Sequence, residues 1–162
     1  MTLAIREETP DDIAAIRAVN EAAFAGAQEA DLVDALRRDG DLLLSLVADG
    51  GGVVGHVAFS RMLVGGDPAV ALAPVAVLPA QQRRGLGAAL IEAGLERLKQ
   101  AGETLVFVLG APAYYGRFGF AAASAARFET PYPGPYFQSL ALSPRAPSSG
   151  AVRYARAFAA LA

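Results

Sequence analysis

A chain of 162 residues, 54% of them hydrophobic, fits one domain with a full core and one cleft. It has no cysteine and a single histidine, His56, which excludes disulfides, thiolate metal sites and a cysteine nucleophile and makes a histidine-based zinc site improbable. The formal charge of −2 offers no basic field for a nucleic acid, no apolar run nears the roughly 18 residues of a membrane span, and the acids in MTLAIREETP are unlike a signal peptide, so a cytoplasmic protein is expected. Arginine with Lys99 as the sole lysine, together with abundant alanine, reads as the base composition of a bacterial genome.

In chain order, Leu3, Ile5 and Glu7 alternate with Ala4, Arg6 and Glu8 as a first strand would. Thr9, Pro10, Asp11 and Asp12 give a helix start, with Ile13, Ile16, Val19 and Ala23 on one face. EADLVDALRRDG predicts a second short helix with Leu32, Val33 and Leu36 inward, stopped by Gly40. The period then changes: residues 42–48 and 53–64 read as strands of a hairpin across Asp49-Gly50-Gly51-Gly52, and GGDP at 65–68 leads to a fourth strand over 71–78. A helix over about 84–101 turns Leu90, Ile91, Leu95 and Leu98 inward, and the apolar run 104–109 reads as a fifth, central strand. PAYYGRFGF suggests a short helix from Pro112 to Phe118; beyond it AAASAA and PYPGP carry weak signals, and QSLAL reads as a strand. The order predicts an α/β fold in one domain, 1–162, around one mixed sheet.

Residues 81–90, QQRRGLGAAL, lie between a strand and a helix. The first turn of a helix presents unpaired backbone N–H groups, and glycines let a pyrophosphate reach them without meeting a side chain. Arg83 and Arg84 would add charge at the rim; an ordinary exposed loop pair is the alternative, and the helix-start glycines that follow at once favour phosphate contact. A P-loop is excluded because Ala88 and Ala89 follow Gly87, and a GxGxxG fingerprint because position 90 is leucine. Pro74 cannot donate a ladder hydrogen bond, so a bulge or edge is expected within ALAPVAVL. A splay between 71–78 and 104–109 would then open a slot leading away from the anion site.

The segment from Gln82 to Ala88, containing Gln82-Arg83-Arg84-Gly85-Leu86-Gly87, resembles the Gln/Arg-x-x-Gly-x-Gly/Ala motif of the GCN5-related N-acetyltransferase (GNAT) superfamily, and YYGRFGF resembles its late Tyr-x-x-x-Gly-Phe segment. EADLVDALR, SLVA, GHVAFS and the run VLG-x-PAYYGRFGF are similar to a bacterial, YhbS-like branch. The likeness covers most of residues 1–128 and more loosely 129–162. It implies a mostly antiparallel sheet splayed between its fourth and fifth strands, with helices on both faces. It also implies acetyl-CoA as cofactor, its pyrophosphate on the glycine segment and its pantetheine arm along Val75, Ala76 and Val77 through the main chain. The reaction implied is direct attack of an acceptor amine on the thioester. The acceptor would be a small molecule or an exposed amino group of another molecule; no nucleic acid, membrane or metal is involved. A non-catalytic acyl-CoA binding or sensing module is the alternative.

By the same resemblance Tyr115, four residues before Gly119-Phe120, is the general acid and also a cofactor contact, with Tyr114 as the neighbour to control for. Glu29 falls in the region forming the family's acceptor side, where a solvated helix acid is the bland alternative. His56 has a reference pKa near 6.5 and strand parity with Val54, Ala58 and Ser60, so it is either an acceptor-pocket group or a structural histidine. Ala111 departs from the branch pattern, which carries an acid in VLGDP. A late exposed strand could pair between subunits as a homodimer.

Overall fold

The computed structural model describes residues 3–161. Strand β1 (Ala4–Glu7) leads through a 3-10 turn at Pro10–Asp12 into helices α1 (Ile13–Phe24) and α2 (Gln28–Asp39). Strands β2 (Leu42–Asp49) and β3 (Val53–Val64) form the expected antiparallel hairpin, whose turn is fixed by Asp49 accepting the N–H groups of Gly51 and Gly52 at 3.1 and 3.0 Å. Strand β4 (Asp67–Val77) starts four residues earlier than the turn signal GGDP suggests. Gly65 and Gly66, with φ of +58° and +107°, close a two-residue hairpin by themselves and leave Asp67 free to pair with Val64.

Helix α3 (Leu86–Gln100) crosses over to β5 (Leu105–Leu109), which lies parallel to β4. The segment after β5 is one α-turn, α4 (Pro112–Tyr115), continued by a 3-10 turn to Phe118 and ended by Gly119 at φ +100°. Beyond it come β6 (Phe128–Glu129), β7 (Phe137–Ala141), β8 (Gly150–Arg153) and a 3-10 segment at Arg156–Leu161. The main sheet runs β1-β2-β3-β4-β5-β7, with every pair antiparallel except β4–β5, and β8 joins the far end of β3.

Two apolar layers follow from strand alternation. Leu46, Phe59, Leu72 and Val106 meet Leu90 and Ile91 of α3 on one face. On the other, Met62, Leu105 and Phe107 meet Leu36 of α2 and Phe158 of the tail, while Val47 and Ala58 meet Ile16 of α1 and Val33 of α2. Helix α3 sits so near the sheet that a Cβ on Gly94 would fall 2.2 Å from the Phe59 ring. At the sheet edge, Arg6 bonds Asp12 at 2.7 Å and Asp49 at 3.0 Å, holding the Asp12 carboxyl well below the usual carboxylate range.

His56 is fully buried beneath α1. Its Nδ1 lies 3.1 Å from the Asn20 amide nitrogen and its Nε2 2.8 Å from Ser45 Oγ. The Asn20 amide also donates to Ile16 O at 2.9 Å, so Nδ1 accepts and Nε2–H donates, the pattern of a neutral imidazole. Burial lowers its pKa to about 4; Glu8 opposes the shift and Arg37 adds to it. Between about pH 6.5 and 4 the unfolded chain therefore binds a proton that the folded chain refuses, and stability falls as pH falls, by on the order of 3 kcal/mol across the window. Asp12 acts lower: its contribution is complete above the unfolded carboxyl value of 3.8 and is lost below it. Thermal melts from pH 7 to 4 should show a steep decline in Tm for the parent and a shallower one for His56→Gln; equal slopes would contradict the buried neutral state.

Candidate active site

The site begins at a fault in β4. Val57 pairs with Val75, but Phe59 pairs with Leu72, so Ala73 and Pro74 together oppose Ala58 and form the bulge that proline's missing donor implied. On its other side β4 pairs with β5 only at Val70↔Val106 and Ala71↔Phe107. Past that point the strands are no longer paired, and Val75 of β4 lines a slot together with Val108 and Leu109 of β5.

At one end of the slot the chain turns into α3. Arg83 at φ +66° and Gly85 at φ +79° both take the left-handed conformation, which folds the loop back over the helix start. The first helical bond runs from Ala89 N–H to Gly85 O at 3.0 Å, so the N–H groups of Leu86, Gly87 and Ala88 have no partner within the helix. They border a cavity of about 430 Å³ shared with Val75, Val77, Gln82 and Arg83. Gln82 is held there by its side-chain amide, which donates to Val77 O at 3.0 Å. The structure adds two groups from the α4 segment. Tyr114 lines this cavity, and Arg117 lines it with its guanidinium stacked 4.6 Å above the Tyr114 ring. Arg84 lies outside the lining, exposed, with its guanidinium 3.4 Å from Gln81 Oε1, and Ala76 is buried within the sheet.

At the other end lies a second cavity of about 410 Å³, and Val75 lines both. Here β4 contributes Pro74, β5 contributes Phe107 to Leu109, and Tyr115 closes one side. Tyr115 reaches this position because Gly110 has no side chain: a Cβ there would sit 2.3 Å from the Tyr115 ring. The Gly110 carbonyl in turn accepts from the side-chain amide of buried Gln138 at 3.0 Å, which fixes the turn where Ala111 stands. Burial, then the neighbouring Tyr114, pushes the Tyr115 phenol up to about 12, so it keeps its proton throughout the neutral range. The facing wall comes from α1, α2 and the tail: Phe24, Glu29, Leu32, Tyr132, Tyr154 and Phe158.

The structure thus brings Tyr115 and Glu29 to one cavity, and Gln82, Arg83 and the residues from Gly85 to Ala88 to the other. It does not bring His56 to either. Sequence reasoning missed Arg117, whose only signal is its place three residues after Tyr114 on a short helical segment, and the tail aromatics Tyr154 and Phe158. Among the described residues no cluster of His, Asp and Glu is arranged to hold a metal ion, and no helix is long and apolar enough to cross a membrane.

The chain, whose mixed sheet is splayed where a glycine-initiated helix follows a bulged strand, matches the model of the acetyltransferase (GNAT) family over residues 10–120. The chain is 42% identical over 134 residues to the uncharacterized N-acetyltransferase YhbS of Escherichia coli (strain K12), covering 80% of each sequence. Among solved structures, that of E. coli YhbS in complex with CoA superimposes with a TM-score of 0.90 at 38% identity, covering 97% of this chain and 92% of the other. A GNAT family acetyltransferase from Brucella melitensis in complex with acetyl-CoA gives a TM-score of 0.83 at 44% identity, covering 97% and 98%. The chain belongs to the GNAT acetyltransferase family, in the YhbS-like branch, and is an acyltransferase by that membership.

Proposed function

We propose that this protein is an acetyl-CoA-dependent N-acetyltransferase that carries an acetyl group directly to an acceptor amine. The supporting observation is that two cavities share Val75 in their linings, one lined by the helix-start residues and two arginines, the other by a protonated phenol and a carboxylate. The residues present fit the coenzyme. The N–H groups of Leu86, Gly87 and Ala88 suit a pyrophosphate, with Arg83 and Arg117 supplying charge and Gln82 shaping the loop. Arg84, at the solvent side, adds only to the field. Val75, Ala76 and Val77 offer main-chain contacts to a pantetheine arm along the unpaired side of β4, so their apolar side chains do not matter.

Bound there, acetyl-CoA supplies the activated acetyl thioester. Main-chain donors near the bulge polarise the carbonyl, Glu29 holds the incoming ammonium and takes up a proton as the amine becomes nucleophilic, and Tyr115 offers its Oη proton to the departing sulfur. A C–N bond forms and the C–S bond breaks; the nitrogen's second proton and the one held by Glu29 pass to solvent, from which Tyr115 recovers its own. His56, which shares neither cavity, serves the packing of α1 on the sheet. The two relatives solved with CoA or acetyl-CoA support the coenzyme reading.

Incubation with acetyl-CoA and a panel of primary amines should release free thiol in step with acetylated product seen by mass spectrometry. Folded protein that fails to bind CoA in a calorimetric titration would overturn the reading; binding without transfer to any amine would favour the non-catalytic acyl-CoA module.

A further inference from the structure

The acceptor end of the slot is not a polar chamber. Of the described residues whose side chains line it, Glu29 alone carries a charge, and no described lysine, arginine or histidine joins it. Glu29 is half-buried in the first turn of α2 and makes no ion pair among the described residues, unlike Asp31 and Asp34 of the same helix, which both bind Arg17 at 2.8 Å. Around it stand aromatic rings held against one another. Tyr154 meets Tyr132 nearly edge to face at 5.5 Å and Phe158 at 5.1 Å, and Phe107 stacks on Phe137 at 5.1 Å. Phe24 and Leu109, which also line the cavity, are 41% and 43% exposed, so apolar side chains extend from it to the surface.

From this we infer that the acceptor is an arylalkyl monoamine: one ammonium for Glu29 and a flat apolar body for the aromatic wall. The inference rests on the acetyltransferase reading and names the substrate class of that site. A polyamine would bring further ammonium groups toward a wall with no second carboxylate among the described residues, and each would lose hydration without a counter-charge. An amino sugar would bring several hydroxyls to a surface whose other side-chain polar groups, among the described residues, are tyrosine hydroxyls, leaving most of them unpaired. An aromatic ring gains apolar burial and edge-to-face contact, and a cation entering beside tyrosine faces gains a further attraction.

The experiment compares 2-phenylethylamine, n-butylamine, spermidine and glucosamine as acceptors, with CoA binding measured separately by calorimetry on the same preparation. The expected result is a kcat/KM for 2-phenylethylamine at least about tenfold above each of the others. Glu29→Gln should weaken 2-phenylethylamine binding to the CoA-loaded protein about tenfold with CoA affinity unchanged. Preference for spermidine or glucosamine, equal use of n-butylamine, or no transfer to 2-phenylethylamine while CoA still binds would overturn the acceptor assignment and leave the coenzyme reading standing. Loss of CoA binding itself would remove both.

Discussion

Tyr115→Phe should lower kcat by on the order of 100-fold or more, the usual contribution of a positioned general acid, while CoA binding stays within about twofold of the parent. The ring would remain seated on Gly110 and against Phe120, since both contacts involve carbon atoms of the tyrosine, so the variant removes little except the Oη proton. Tyr114→Phe is the matched control. Its hydroxyl lies in the anion cavity, 3.2 Å from where a Gly87 Cβ would stand, so its loss should weaken CoA binding a few-fold and leave kcat near the parent value. Because burial pushes the Tyr115 phenol up to about 12, its proton stays available from pH 6 to 9, and no fall in rate from its ionisation is expected in that range. Equal, small effects of the two substitutions in steady-state kinetics would remove Tyr115 from the proton-donor role.

Gly87→Val should reduce CoA affinity by on the order of 100-fold, about 2.7 kcal/mol. Gly87 lies in the first turn of α3 with ordinary helical geometry, so a side chain there costs the fold little and valine is not a worse helix former than glycine. What it costs is space. The new Cβ would stand 3.2 Å from Tyr114 Oη and 3.9 Å from Val77 Cγ2, with the valine methyls filling the route to the N–H groups of Leu86 to Ala88. A Tm close to the parent together with the lost affinity would place the effect on the coenzyme site. Unchanged affinity by calorimetry would mean that nothing approaches this backbone closely.

Where the sequence was legible, a residue's chemistry restricted the backbone regardless of its surroundings. Pro74 lacks a donor, and the register of β4 against β3 slips at that residue. Gly85 and Gly87 stand between a strand and an amphipathic run, and the loop and helix start formed there. The hairpin over 42–64 was clear because two β-rich runs flank consecutive glycines. The tail was not legible for the opposite reason. Strands β6 and β8 have two and four residues, too few for a period to show, and their pairing with one another and with β3 is set by tertiary contact. Most of the aromatic wall was lost with it, because Tyr154 and Phe158 join Tyr132 only after that tail has folded back over α2. His56 shows the limit of strand parity. Parity describes a side of the strand, but whether that side faces a cavity or a helix depends on α1, whose Asn20 lies 36 residues earlier in the chain. Arg117 depends likewise on the turn of α4 that brings it over Tyr114.

A crystal structure of the protein with CoA bound bears on all of this at once. The two phosphorus atoms of the pyrophosphate should lie beside the N–H groups of Leu86, Gly87 and Ala88, with the sulfur between the Val75 end of β4 and Tyr115. A coenzyme bound with its phosphates away from Gly85 and Gly87, or with its sulfur remote from Tyr115, would contradict the cradle and the chemistry built upon it.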